Sequence, residues 1–239
     1  RILNEGVDVH QATQDALALP DRDTAKTMNF MLLYGGGVPK LAVALYPVTI
    51  SMEALKAIYM LWKWPTWRRP EFNDDKKLRD SLPPGELVRN LEFLQKAQAQ
   101  LDDYFKKLPK VQEFIKNVKD KAKSQGVVFT WLGRVLQYGK DAKGGHTNYK
   151  APNGLIQGGA GDVSKVAANA VHQRLEGTDC YLILHVHDEL VAEVPACKTS
   201  IVGELTKIME QSYPHRLIPL TAGAAWSEKS WGDLKDGVP

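Results

Sequence analysis

Apolar residues recur every three or four positions over most of this chain, the spacing of helices that bury one face. Val9, Thr13 and Leu17 start such a pattern, and Pro20 stops it. A helix over about 22–34 follows and runs into Gly35, Gly36 and Gly37, which end it. Another begins near Leu41 and closes before Pro47. Met52, Leu55, Ile58, Tyr59 and Trp62 predict a helix over 50–62, followed by a loop rich in Trp, Pro and charge. Leu91, Leu94, Leu101 and Phe105 mark a helix over 86–107. Pro109 suits the first turn of the next, whose apolar face is Val111, Phe114, Ile115, Val118 and Ala122, with Gly126 as its end. At Val127 the period shortens: VVFTWL and VLQY read as a hairpin turning at Gly133–Arg134. Residues 139–150 are polar loop, and Gly158 to Gly161 read as a break before a helix ending at Leu175. Tyr181 to Val194 is strand, turn and strand, 198–213 a helix, and 217–225 a last strand. The pattern is α+β: mostly helical, with a small antiparallel sheet near the C-terminus.

Composition narrows this only slightly. With 44% hydrophobic and 25% charged residues in 239, the chain is globular rather than disordered. A net charge of +3 permits nucleic-acid binding without arguing for it. Cys180 and Cys197 form neither a disulfide framework nor a metal-ligand spacing, which suggests free thiols in a reducing compartment. No run of 18 apolar residues and no leader pattern is present, so a soluble, intracellular protein with no membrane partner is expected. The opening RILNEG reads as the middle of something, so a truncated, processed or split chain is expected.

Two stretches carry candidate chemistry. In RDTAKTMNFMLLYG, Arg22, Lys26, Phe30 and Tyr34 stand four apart, so cations and then rings follow one helix face. That order suits a nucleoside triphosphate: phosphates favour the positive helix end, and a base or sugar can lie against a ring. The same spacing also fits a core helix with snorkelling cations. In YLILHVHDELVAEV, His187, Asp188 and Glu189 interrupt two half-buried strands. Carboxylates at a tight turn can hold a hard cation such as Mg²⁺, or simply be solvated.

Taken together, the two stretches resemble the family A DNA polymerases. Residues Arg22, Lys26, Asn29, Phe30, Tyr34 and Gly35 resemble that family's fingers helix, and HVHDELVAEV its palm hairpin. Landmarks between them follow in the family's order: Gly6, Asp8 and His10; LPKVQEFI at 108–115; Thr130, Gly133 and Arg134; Asn153; Gln157 and Gly158. The resemblance implies fingers over 1–126, with an insertion at about 47–95, and a C-terminal palm over 127–239 carrying a catalytic hairpin at 181–194. It implies that His10, Arg22 and Lys26 grip the triphosphate of an incoming dNTP, and that Lys26 protonates the leaving pyrophosphate. Phe30 would lie against the sugar, disfavouring dideoxynucleotides, and Tyr34 by the templating position. Asp188 would hold Mg²⁺ with Glu189 beside it. Arg134, Asn153, Gln157 and His187 would touch primer–template DNA.

The second catalytic aspartate of the two-metal scheme, with the thumb and any exonuclease, would precede the Gly-x-Asp-x-His segment, and no such strand occurs here. A second polypeptide is therefore expected to supply the remaining palm, the thumb and possibly an exonuclease. A cytoplasmic setting, in a bacterium or a phage-infected cell, goes with this. Departures from the family are Asp23, Met31 and Leu136, where Arg or Lys, Gly and Arg are usual, and Tyr149 or Lys150 near a usual Arg. Trp62, Trp64 and Trp67 with Arg68 and Arg69 fit single-stranded template or, more simply, a small core or docking surface. A single-subunit RNA polymerase-like fragment shares the basic helix and His-Asp hairpin, but Phe30 and Glu189 favour DNA synthesis. A non-catalytic accessory that binds DNA or a polymerase half is the remaining alternative.

Overall fold

A computed structural model describes residues 8–34, 36–63, 82, 85–142, 144–213 and 219–237. Contacts group the chain into two units: Val7–Gly126 with Tyr138–Asn153, and Arg1–Gly6 with Val127–Gln137 and Gly154–Pro239. The architecture is α+β.

The first unit is helical. Helix α1 (Val9–Leu17) starts at Asp8, whose carboxylate accepts the His10 and Gln11 backbone N–H groups. Asp21 caps α2 (Arg22–Leu33) in the same way through the Thr24 N–H. Pro39 sits in the first turn of α3 (Val38–Leu45), where its missing N–H costs nothing. Helix α4 covers Met52–Lys63 and α5 Glu86–Lys107; Leu108 separates α5 from α6 (Pro109–Gln125), and Gly126, at φ +73°, ends α6. Met28, Leu41, Leu55, Ile58 and Leu94 form the buried core, drawn from α2, α3, α4 and α5. Burying each such side chain contributes roughly 1.5–3 kcal/mol. Trp62 packs half-buried against this core, whereas Trp64, Trp67, Arg68 and Arg69 lie outside the described residues.

The second unit is built on α7 (Ala151–Leu175), whose first three residues group with the helical unit. The predicted break at Gly158–Gly161 is not there: α7 runs through all four glycines of 154–161. Close packing explains it. A Cβ on Gly158 would stand 3.1 Å from Thr130 Cγ2, so the missing side chain admits the β1 (Val127–Phe129) and β2 (Val135–Gln137) hairpin. Trp131 Nε1 also donates to the Gly159 carbonyl at 3.2 Å. Strands β3 (Tyr181–Val186) and β4 (Glu189–Glu193) pair antiparallel, with an irregularity between Leu182 and Leu184. Helix α8 (Ile201–Gln211) packs its Ile201 and Leu205 with Val171, Leu175 and Cys180. Arg174 on α7 makes a two-pronged pair with Glu204 on α8, at 2.6 and 2.7 Å.

Two other expectations need correction. The sheet is not one but three separate hairpins among the described residues, the third joining β5 (Ala225–Trp226) to β6 (Lys235–Asp236). Residues 217 and 218 of the predicted 217–225 strand lie outside the described residues; of the rest, 219–224 take no regular form and 225 is strand. Pro219 has no N–H to give a ladder, and a strand needs a partner.

Candidate functional site

The helical unit arranges its candidate residues around α2. Four residues advance a helix by 400°, so an i, i+4 series drifts about 40° per step. From Arg22 to Tyr34 the ridge therefore winds through about a third of a turn. Its two ends serve different neighbours. Arg22, at the start, donates to Asp8 Oδ2 through Nε at 2.7 Å and Nη2 at 2.6 Å. The Arg22 hydrogen bond, with the Gln11 N–H next, holds the Asp8 carboxyl below its usual range. Lys26, Phe30 and Tyr34, further round, line a concavity of about 640 Å³ with Asp23, Thr27, Met31, Gly36 and Lys40. Lys26 has no ion-pair partner among the described residues, so its charge faces an open groove.

Aromatic rings continue the ridge onto α1. His10 lies 5.5 Å from Phe30, and Phe30 5.7 Å from Tyr34, centroid to centroid. Phe30 and Tyr34 are 39% and 42% exposed, unusual for rings with a structural job alone. Beneath them Asn29 is buried and fully engaged. Its Oδ1 accepts from the Tyr104 hydroxyl at 3.0 Å, and its Nδ2 reaches Thr13 Oγ1 at 3.0 Å and His10 Nδ1 at 3.1 Å. One amide thus ties α1, α2 and α5 together and orients His10.

Met31 also lines the groove. A Cβ on Gly36 would stand 2.4 Å from Met31 Cγ and 2.8 Å from the Met31 carbonyl oxygen, so only glycine fits there. The Gly36 N–H donates to that same carbonyl at 2.8 Å.

In the second unit the acidic residues stand at the tip of the β3–β4 hairpin. Val186 pairs with Glu189, leaving His187 and Asp188 as a two-residue turn. His187 takes φ +56°, the left-handed form such turns need. His187, Asp188 and Glu189 are all exposed. The turn is held by its backbone: Ser164 on α7 donates to the His187 carbonyl at 2.9 Å, and His185 Nε2 lies 2.5 Å from Ser164 Oγ. Asp188 and Glu189 have no hydrogen-bond or ion-pair partner among the described residues. No group of three or more His, Cys, Asp or Glu side chains gathers there among those residues.

Arg134 is less free than the sequence suggests. It binds Asp162 on α7, through Nε at 2.7 Å and through Nη2. Asp162 is 2% exposed and accepts from Thr130 Oγ1 as well. Burial pushes its carboxyl up, but the Thr130 and Arg134 hydrogen bonds, helped by the charges of Arg134 and Lys165, bring it below the usual range. Asn153 and Gln157 stand one turn apart on α7; Gln157 is exposed, and Asn153 Oδ1 is buried without a hydrogen-bond partner among the described residues. Sequence reasoning missed Asp162, Ser164, His185, Lys40 and Tyr104. Only Tyr104, an isolated hydroxyl-bearing ring on an otherwise regular apolar face, left any trace.

Comparison with known proteins places the chain in a family. The family model for DNA polymerase family A matches residues 85–233, well over half of the chain. DNA polymerase I of Caldicellulosiruptor bescii is 33% identical over 59% of this chain and 18% of its own length. That of Helicobacter pylori is 26% identical over 97% of this chain and 22% of its own. The chain thus spans about a fifth of the length of the curated relatives it matches. The POL domain of Pol1 from M. smegmatis, solved in complex with DNA primer-template and dNTP, shares the fold. Its TM-score is 0.65 and its identity 24%, covering 92% of this chain and 33% of that one. The chain belongs to DNA polymerase family A.

Proposed function

We propose that this chain is the nucleotide-binding and hairpin-bearing part of an enzyme that extends a DNA primer on a template. The observation that carries the reading is the groove beside α2, where Lys26, without an ion-pair partner among the described residues, precedes two exposed rings in a chain of this family. Lys26 and Arg22, with His10, bind the triphosphate of an incoming dNTP. Phe30 lies against the sugar and Tyr34 beside the templating base. The primer 3′ hydroxyl gives up its proton to solvent as its oxygen bonds to the α-phosphorus, the bond from that phosphorus to the bridging oxygen breaks, and pyrophosphate leaves with a proton from Lys26, which solvent then restores. His187, Gln157, Asn153 and the free edge of the Arg134 guanidinium contact primer–template DNA.

Asp188 fits a hard cation in donor type and exposure, with Glu189 alongside. Bound Mg²⁺ supplies charge neutralisation on the phosphates and lowers the cost of deprotonating the primer hydroxyl. Two carboxylates are few for such an ion, which favours a further carboxylate ligand; in this reading it is an aspartate of a second polypeptide that carries the rest of the palm and the thumb. The exposed apolar side chains of β3 support this too: Tyr181 is 61%, Ile183 52% and Leu184 45% exposed, a surface that asks for cover.

The test is primer extension by the chain alone and together with whatever polypeptide co-purifies with it, with Mg²⁺ and all four dNTPs. Synthesis only in the combined sample is expected. Robust synthesis by the chain alone would remove the second polypeptide from the proposal. No synthesis in either sample, with an aspartate-bearing partner present, would remove the polymerase reading itself.

A further inference from the structure

Strand β3 carries one residue more than its partner, and that surplus decides which side chain meets the Asp188 turn. Leu182 pairs with Ala192 and Leu184 with Val191, so Ile183 is left without a residue opposite it. Directly paired residues share a face of the hairpin. Leu182, Leu190 and Ala192 pack with Val171 and Leu175 of α7 and with Ile201 and Leu205 of α8, so theirs is the face turned to the helices. His185 pairs with Leu190 and lies on that face as well. In a strand that simply alternated, residues 182 and 185 would fall on opposite faces. The bulge at Ile183 is what turns His185 toward α7.

There it meets Ser164. His185 Nε2 stands 2.5 Å from Ser164 Oγ and 3.1 Å from the His187 carbonyl oxygen, and Ser164 Oγ stands 2.9 Å from that same oxygen. The carbonyl only accepts, so the hydrogens among these three atoms come from the serine and the imidazole. If Ser164 gave its single hydrogen to Nε2, the carbonyl would face lone pairs on both neighbours. With the hydrogen on Nε2, the ring donates to Ser164 Oγ, and the serine hydroxyl donates to the carbonyl. His187 is the left-handed residue of the turn, at φ +56°. Its carbonyl belongs to the peptide plane that ends at the Asp188 nitrogen, so holding the oxygen holds the plane from which the Asp188 side chain starts.

We propose that Ser164 and His185 are positioning residues for Asp188: their relay holds the His187–Asp188 peptide, and with it the carboxylate, in the place where a divalent cation is bound. The proposal rests on the reading of Asp188 as a cation ligand in DNA synthesis. Neither side chain acts on the reacting atoms; both act through the turn. The bulge, the serine and the imidazole work only together, because the first aims the third at the second.

Primer extension by the chain together with its co-purifying polypeptide, measured against Mg²⁺ concentration, tests the role. The ¹³C signal of the His187 carbonyl in the labelled chain tests the relay itself. Ser164→Ala and His185→Leu should raise the Mg²⁺ concentration for half-maximal synthesis about threefold to tenfold, the factor of one lost hydrogen bond. Ser164→Thr, which keeps a hydroxyl, and His185→Gln, which keeps an N–H, should bring it back. A folding defect would lower the plateau and leave the midpoint in place. The carbonyl signal should move in Ser164→Ala and return in Ser164→Thr. A midpoint unmoved by Ser164→Ala overturns the proposal, and so does one that the two restoring variants shift as far as the disabling ones. A carbonyl signal indifferent to Ser164→Ala overturns it as well. No synthesis by the wild-type combined sample would instead remove the polymerase reading, and with it the role given to the relay, whatever the carbonyl signal shows.

Discussion

The two units support their candidate residues in opposite ways. In the helical unit, side chains hold side chains: Asn29 is saturated by Tyr104, Thr13 and His10, and Arg22 is paired with Asp8. The groove beside α2 is therefore shaped before any ligand arrives. At the β3–β4 turn of the other unit, only the backbone is held. Ser164 and His185 secure the His187 carbonyl, while the Asp188 and Glu189 carboxylates project without a partner among the described residues. A preformed groove can select a ligand on its own. Bare carboxylates at a turn act only once something else brings the rest of a coordination shell.

The strongest way to break this comparison is Asp188→Ala. In the complete enzyme it should lower synthesis by several kcal/mol of barrier, on the order of a thousandfold, with DNA binding retained. Loss of fold instead, seen by circular dichroism, would mean the hairpin depends on this side chain after all. Next comes Asn29→Leu, which strands the buried Tyr104 hydroxyl and unseats His10. It should cost about 2–3 kcal/mol in urea unfolding. A neutral result would make the amide network incidental.

Asp162→Asn probes a buried charge of the hairpin unit and should cost about 2 kcal/mol near neutral pH. Its pH signature is more telling. The folded carboxyl lies below its usual range, so its stabilisation is present above the unfolded value near 4 and is lost as pH falls through the folded one. Wild-type stability should therefore drop in that acid window, and the variant should show a smaller drop there. The smallest effect is expected from Phe30→Tyr, which keeps the ring and adds one hydroxyl. It should raise dideoxynucleotide incorporation by the complete enzyme without altering stability, read from chain-termination patterns.

Much of the helical unit could be read from residue order. The helix at 86–107 and its successor opening at Pro109 have long amphipathic periods bounded by Gly and Pro, so their limits follow from local chemistry. The start of α7 could not. Gly154, Gly158, Gly159 and Gly161 lower helix propensity by about 1 kcal/mol each, and local reasoning reads a break. What overrides it is a neighbour 28 residues away in sequence, since Thr130 occupies the space that a Gly158 side chain would need. The candidate site divides along the same line. Lys26, Phe30, Tyr34 and Asp188 were legible because their spacing or turn position is local. Asp162 was not: an acid between Gly161 and Val163 gives no hint that Arg134 and Thr130 will meet it. Arg22 was legible as the start of the ridge, but its pairing with Asp8, 14 residues away in sequence, was not.

The saturated Asn29 amide also decides a hydrogen position. With Oδ1 accepting from Tyr104, the Nδ2 group must be the donor toward His10 Nδ1. A neutral imidazole that accepts at Nδ1 carries its hydrogen at Nε2. The other ring nitrogen of the neutral His10 is thus a hydrogen-bond donor, so an oxyanion reaching it finds an N–H already set in place by the Asn29 amide.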